Sequence, residues 1–382
     1  MIFLFWFCTI AILYTYVGYP AGIWLLARLR RLKTARAPIT PSVSVVLACH
    51  NEEANIAARL RNLAESDYPA GLLEIVVVSD GSNDRTVELA NNCDLEHVRV
   101  VGYARLMGKA AALNIGVKIA RGDVIVFADA RQRFEPQAIR ELVANLADPS
   151  VGAVSGQLQL GGADGSAIGE GAGRYWRYET WIRRSEADFD SCIGAVGAIY
   201  AIRRELWRTL PAGVILDDVY TPMQIALAGY RVVYEEKARA YDHVSATAGR
   251  EFSRKVRTLL GNYQLCQSMP GLLSPSHRLF VQFFSHKLLR LAAPVLMLVL
   301  LASNAVIAAS SVGAPETLVY VAVLIAQIGF YLVVAIGWAL SGRNSRLPLV
   351  NIAYVFSLMN AAAIVGLLYF IVGKRDVWAR SE

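Results

Sequence analysis

A chain of 382 residues has room for one substantial globular domain and further elements. Its hydrophobic fraction of 55%, charged fraction of 18% and mean hydropathy of +0.39 exclude an ordinary soluble domain, and the apolar excess sits at the two ends. The net charge of +7 does not point to nucleic acid, because Arg28, Arg30, Arg31, Lys33 and Arg36 crowd behind the first apolar segment, where positive-inside topology puts them. Five cysteines without a CxxC support neither a zinc knuckle nor a disulfide framework, and they read as reduced, buried thiols.

In chain order, residues 1–27 form an apolar run long enough to span a bilayer as a helix. A cleaved signal peptide is the competing reading. No basic stretch precedes the run and no small-x-small site closes it, so it is read as a retained anchor with its N-terminus outside. The basic stretch that follows then places the next domain on the cytosolic side. Pro38 and Pro41 break the chain before a soluble part spanning 41–250. There, a buried-strand run at 43–49 leads into the loop His50-Asn51-Glu52-Glu53 and a helix to about Glu65. A second strand, 75–79, ends in Asp80-Gly81-Ser82-Asn83-Asp84 with a helix beyond. A short strand at 98–101 precedes Gly108-Lys109 and a helix to Ala120, and the strand 124–128 ends at Asp129. This alternation predicts an α/β domain with a mostly parallel, helix-covered sheet. Its polar residues gather just after strand C-termini, where open α/β sheets hold ligands.

The last third changes character. Residues 251–290 are mixed, and 277–290 combine aromatic, apolar and basic residues in the manner of a membrane-interface segment. Three apolar segments follow within 291–373, at about 291–309, 318–340 and 347–372, with Arg343 and Arg346 between the last two. Three crossings after a cytosolic domain put the basic tail 374–382 (Lys374, Arg375, Arg380) outside, against the positive-inside rule. One segment is therefore open to a re-entrant or interfacial reading.

Motif elimination narrows the chemistry. Residues 102–109 approach a phosphate-binding loop, but one residue too many separates the glycines and Ala110 stands where Ser or Thr is required. There is no GxGxxG after the first strand, no HExxH and no GxSxG, which counts against kinase-like ATPases, dinucleotide oxidoreductases, zinc proteases and serine hydrolases. What remains is a series of carboxylates at element ends. Asp80 suits a turn that caps a helix as well as it suits a ligand contact. Asp129, ending an apolar strand, needs a partner, and a cation bridging phosphate oxygens is one. Asp217 and Asp218 stand side by side before a helix, as an N-cap pair or as catalytic carboxylates.

From about residue 43 to 264 these residues resemble the family 2 glycosyltransferases of GT-A fold, and among them the membrane-bound synthases of cellulose, hyaluronan and poly-N-acetylglucosamine type. Val43-Ser44-Val45-Val46 with Asn51-Glu52-Glu53 resembles the opening strand and nucleotide loop, and Asp80-Gly81-Ser82 the Asp-Gly-Ser that meets uracil and ribose. Gly108-Lys109 with Ala112-Leu113-Asn114 resembles the GK…ALN segment. Asp129-Ala130-Arg131 occupies the place of the DxD metal motif, and Leu216-Asp217-Asp218 that of TED. There are two departures. Arg131 replaces the second Asp of DxD, and QxxRW becomes Arg254-Lys255-Val256-Arg257-Thr258, keeping the Arg as Arg257.

The resemblance implies an inverting displacement with Asp218 as base, Asp217 beside it and Arg257 near the diphosphate. It also implies Mg²⁺ or Mn²⁺ held by Asp129, with Asn51, Glu52, Glu53, Asp80, Lys109, Asp129 and Arg254 contacting the nucleotide sugar. The expected donor is a UDP-sugar, the acceptor a saccharide or lipid-linked glycan, and the place an inner membrane, as a multi-pass protein in contact with lipid and polysaccharide-export partners. Transfer of one sugar to a lipid or short acceptor is the alternative reaction. A catalytically silent nucleotide-sugar-binding subunit is the alternative of another class. Tyr175, Trp176, Tyr178 and Trp181 fall on one predicted helix and suit either acceptor stacking or packing; His243 suits either a metal ligand or a structural role.

Overall fold

The structure, a computed structural model, describes residues 1–161, 167–243, 248–310, 317–340 and 347–373. The basic turn with Arg343 and Arg346, the tail 374–382 and the side chain of His243 lie outside the described part. The chain divides into two compact units, one of Leu26–Gly161 with Arg183–His243, the other of Met1–Leu25, Gly162–Ile182 and Val244–Glu382.

The first unit is built on an eight-stranded sheet of order β3-β2-β1-β4-β7-β6-β8-β5. Its strands are β1 (Val43–Cys49), β2 (Leu73–Asp80), β3 (Val98–Tyr103), β4 (Val124–Ala128), β5 (Arg133–Phe134), β6 (Val151–Gly161), β7 (Ile199–Arg203) and β8 (Arg231–His243). The near-continuous Val, Ile and Leu runs of β1, β2 and β4 are buried on both faces, as parallel strands covered by helices require. β3, β2, β1 and β4 pair in parallel, and β6 pairs in parallel with β8. β7 runs antiparallel between β4 and β6, and β5 antiparallel to β8. Four of the seven described pairings are thus parallel, and the sheet is mixed. The C-terminal ends of β1, β2 and β4 lie side by side, Cys49 opposite Ser79 and Leu47 opposite Ala128, so their three following loops share one rim.

Among the described residues, four helices are long and apolar enough to cross a membrane, Ile2–Leu29, Phe280–Ser310, Thr317–Ala339 and Pro348–Ile371, and all but the last four residues of the first fall in the second unit. The stretch that composition marks as interfacial is, from Phe280 on, the opening of one continuous helical run. Its charges are accommodated within the unit. Glu179, on the helix Ala167–Phe189, pairs with Arg290 and, at 3.1 Å, with Nε2 of His286. The Arg290 guanidinium also faces the rings of Tyr178 and Tyr16 at 5.5 and 6.0 Å. Tyr178 donates to the Tyr16 carbonyl at 2.7 Å, so this part of the aromatic cluster packs against the first membrane-length helix. Both long helices widen to a π turn beside these groups, at Tyr14–Gly18 and Phe284–Leu288, where Tyr14 and Ser285 share a hydrogen bond.

Candidate active site

The rim of the sheet assembles most of the carboxylates singled out in the sequence. Asp80, the last residue of β2 and buried, accepts the backbone N–H groups of Met107 and Gly108, both at 2.7 Å. It thereby anchors the loop that opens the helix Lys109–Ile119. Gly81 is required beside it: its φ is +65°, and a Cβ there would stand 2.6 Å from the Leu106 nitrogen. Lys109, held at the start of that helix, extends its ammonium to Asp129 at 3.0 Å and to Asp217 at 3.7 Å.

Asp217 and Asp218 occupy the first turn of the helix Asp217–Leu227, and neither side chain caps it. They belong instead to a cluster of three carboxylates around one lysine. Burial pushes the Asp217 carboxyl up to about 6; Lys109 opposes this, and Asp218 and Asp129 add to it. Burial alone would lower the Lys109 ammonium, but Asp129, Asp217 and Asp218 outweigh it and hold it above the ordinary lysine value. Because Asp217 is raised from an unfolded value near 4, its stabilising protonation is complete below about pH 4 and lost as pH rises through about 6. Asp218 is only half-buried, with its carbonyl accepting the Ala195 N–H at 2.7 Å. Gly197 makes room for it: a Cβ there would meet Asp218 Oδ2 at 2.9 Å.

The nucleotide-loop candidates are engaged with one another. The Asn51 N–H donates to Ser82, that of Glu52 to Thr86 and that of Glu53 to Asp84, while the Asn51 and Glu53 side chains accept the Asn83 and Arg85 N–H groups. Asn51-Glu52-Glu53 thus clamp the loop after β1 to the loop after β2. Asn114 likewise braces the chain, exchanging two 2.9 Å bonds with the backbone of Leu210. Arg254 and Arg257 belong to the other unit, on the helix Ala248–Ser268, where the Thr258 hydroxyl donates to the Arg254 carbonyl at 3.0 Å.

Two residues of this rim escape motif reading. Arg59, buried in the helix Ile56–Ala64, donates to the Asp129 carbonyl at 3.0 Å and lies 4.1 Å over the Phe134 ring. Its signal is a charge on the apolar face formed by Ile56, Leu60 and Leu63. Tyr200, in the middle of β7, is fully buried and stacks on Phe127, and burial together with Asp217, Asp218 and Asp129 pushes its phenol well above the ordinary value.

Among the described residues no group of three or more His, Cys, Asp or Glu stands arranged to hold a metal ion. Arg131, in the place of the second DxD carboxylate, is exposed. The rim still suits a divalent cation delivered with a diphosphate. Three carboxylates against one ammonium leave surplus negative charge, and Mg²⁺-type sites commonly use one or two carboxylates with substrate phosphates completing the shell.

Residues 44–210 match the family model described as Glycosyl transferase family 2. Poly-beta-1,6-N-acetyl-D-glucosamine synthases of Staphylococcus aureus (strain COL) and Staphylococcus epidermidis (strain ATCC 35984) are 27% and 25% identical over 233 residues, 58% of this chain and 55% of each relative. The chain therefore spans about half the length of the curated relatives it matches. Among solved structures, the mannosyltransferase PcManGT from Pyrobaculum calidifontis, in complex with GDP-Man and Mn²⁺, has the same fold. The TM-score is 0.73 at 23% identity, covering 96% of this chain and 99% of that one.

Proposed function

We propose that the protein, whose residues 44–210 match the family model described as Glycosyl transferase family 2, transfers a sugar from a UDP-sugar to a saccharide acceptor, with inversion, in polysaccharide synthesis. The observation that carries the reading is the rim cluster, in which Lys109 ties Asp129 to Asp217 beside the half-buried Asp218. Asp218 takes the proton of the acceptor hydroxyl as that oxygen attacks the anomeric carbon. Lys109 offers a fixed positive charge to the departing diphosphate. Asp80 orients the loop bearing Lys109, and the clamp of Asn51-Glu52-Glu53 on residues 82–86 shapes the nucleotide's seat. Asp129 would hold a divalent cation arriving with the nucleotide sugar, which would supply Lewis-acid stabilisation of the diphosphate. The roles of Arg254 and Arg257 rest on their motif alone.

Thr258 favours transfer of a single sugar over processive polymerisation, since it offers no aromatic face and its hydroxyl is spent on the Arg254 carbonyl. The deciding experiment supplies detergent-purified protein with a panel of UDP- and GDP-sugars, measures nucleoside diphosphate release and analyses the product. One UDP-sugar is expected to turn over; donor binding without release would overturn the reading in favour of a silent nucleotide-sugar-binding subunit.

Two further results are expected. Activity is abolished by excess EDTA and restored by Mg²⁺ or Mn²⁺, and Asp129→Ala weakens binding of the metal–nucleotide complex in calorimetry; full activity in EDTA removes Asp129 as a ligand. The catalytic unit faces the cytosol, given the five basic residues between Arg28 and Arg36. Cys93, partly exposed, therefore reacts with an impermeant maleimide only after permeabilisation, whereas Cys192 is fully buried and silent from either side. Labelling of Cys93 in intact cells would reverse the orientation.

A further inference from the structure

We infer that Arg59 is a positioning residue for Asp129, the carboxylate proposed to hold the divalent cation: together with Asn62 it latches the loop that carries Asp129 to the helix Ile56–Ala64. The inference deepens the proposed reaction and rests on that reading of Asp129.

Residues 129–132 join β4 to β5 at the rim. Arg59 and Asn62 stand three residues apart on the helix Ile56–Ala64, and so on one face of it. The Arg59 side chain reaches both ends of the loop. Its Nε donates to the Asp129 carbonyl at 3.0 Å, its Nη1 donates to Asn62 Oδ1 at 2.7 Å, and the guanidinium lies 4.1 Å over the Phe134 ring. Asn62 closes the latch at Phe134, where Oδ1 accepts the backbone N–H at 2.8 Å and Nδ2 donates to the carbonyl at 2.9 Å. Between these anchors Gln132 donates to Asp242 at 2.7 Å. The Asp129 backbone is thus held by the helix while its carboxylate meets Lys109 at 3.0 Å.

Arg59 is 2% exposed, and among the described residues no carboxylate lies within ion-pair distance of it. A buried charge without an ion-pair partner is costly. Keeping β5 in the sheet does not require one, because Asn62 satisfies both backbone groups of Phe134 and β8 pairs with β5. What arginine adds is a planar fork that spans the Asp129 carbonyl and the Asn62 amide at once, a geometry that neither lysine nor an apolar chain supplies. On a side chain as short as aspartate's, the place of the carboxylate follows from that of the backbone. Arg59 therefore sets where Asp129 offers its oxygens.

The test is Arg59→Met in the full-length protein in detergent, with UDP titrated calorimetrically in the presence and absence of Mn²⁺. Methionine replaces the buried charge with an apolar chain, so Tm is expected to hold. UDP affinity in Mn²⁺ is expected to fall by about 10–100-fold, the usual effect of losing a group that orients a metal ligand, and to stay within about twofold without the metal. Removing a positive charge would by itself strengthen cation binding, so a loss of affinity comes from geometry. Arg59→Lys keeps the charge without the fork and is expected to lose Mn²⁺-dependent affinity as well. Wild-type affinity in Mn²⁺ for Arg59→Met, or affinity falling alike with and without Mn²⁺ in step with Tm, would overturn the inference. Hydrogen exchange supplies a readout free of metal and nucleotide. The amides of residues 130–132 are expected to exchange faster in Arg59→Met, and unchanged exchange overturns the inference. If wild-type UDP affinity does not respond to Mn²⁺, the reading of Asp129 as a cation ligand fails, while hydrogen exchange still judges whether Arg59 fixes the loop.

Discussion

Asp218→Asn is expected to abolish sugar transfer, lowering kcat by about 10²–10⁴ while donor affinity stays within a few-fold. The substitution is nearly isosteric, and the site is built to hold a side chain of that shape. Asp218 lies in the first turn of its helix, with its carbonyl fixed by the Ala195 N–H and its carboxylate against the bare Cα of Gly197. An amide therefore occupies the same place but cannot accept the acceptor's proton. Lys109 keeps its contacts with Asp129 and Asp217, so the groups proposed to meet the donor are unchanged. Steady-state kinetics and calorimetric titration of the nucleotide separate the two effects. Turnover near the wild-type level would sink Asp218 as base, and a matching collapse of donor affinity would make it a binding residue instead.

How far this site was legible follows from where each residue sits. Asp80 and Asp129 stand out because each ends a continuous apolar strand, and a charge at that point must be matched by something on the rim. Asp217-Asp218 stand out as adjacent carboxylates at a helix start, though sequence left open a capping role that the structure does not show. Lys109 was found by motif, and its bridging contacts depend on the packing of a helix that begins about 20 residues before Asp129. The Asn51-Glu52-Glu53 loop was read as facing the nucleotide. Its bonds to residues 82–86 are long-range and carry no periodic signal. Arg59 and Tyr200 were missed for related reasons. Each occupies a position whose pattern says core, helix face or strand centre, and only tertiary placement reveals what the Arg59 guanidinium and the Tyr200 ring meet. The antiparallel insertion of β7 between β4 and β6 was equally invisible, since a five-residue buried strand reads the same in either direction.

Glu179→Ala is expected to destabilise the membrane-length helical unit by about 3–5 kcal/mol, the usual cost of leaving a buried ion pair with one partner. Glu179 is 8% exposed and His286 1%, so water does little to screen what the substitution uncovers. The carboxylate is shared: it pairs with the Arg290 guanidinium on one oxygen and lies 3.1 Å from the His286 ring on the other. Removing it leaves Arg290 with the Tyr175 hydroxyl at 3.5 Å and the faces of Tyr178 and Tyr16 at 5.5 and 6.0 Å, which offer far less than a carboxylate in contact. The position of Arg290 makes the effect large. It stands inside the continuous run Phe280–Ser310, where an unmatched charge resists burial in an apolar surrounding. Glu179→Gln keeps hydrogen-bonding capacity without the charge and should fall between wild type and alanine. Thermal unfolding in detergent, followed by tryptophan fluorescence and helical circular dichroism, measures the series. Because the cost is electrostatic and not steric, Glu179→Asp should retain more stability than Glu179→Gln if the shorter carboxylate still reaches Arg290. Alanine unfolding at the wild-type temperature would show that the Tyr175 hydroxyl and the aromatic faces are enough to hold the guanidinium in place.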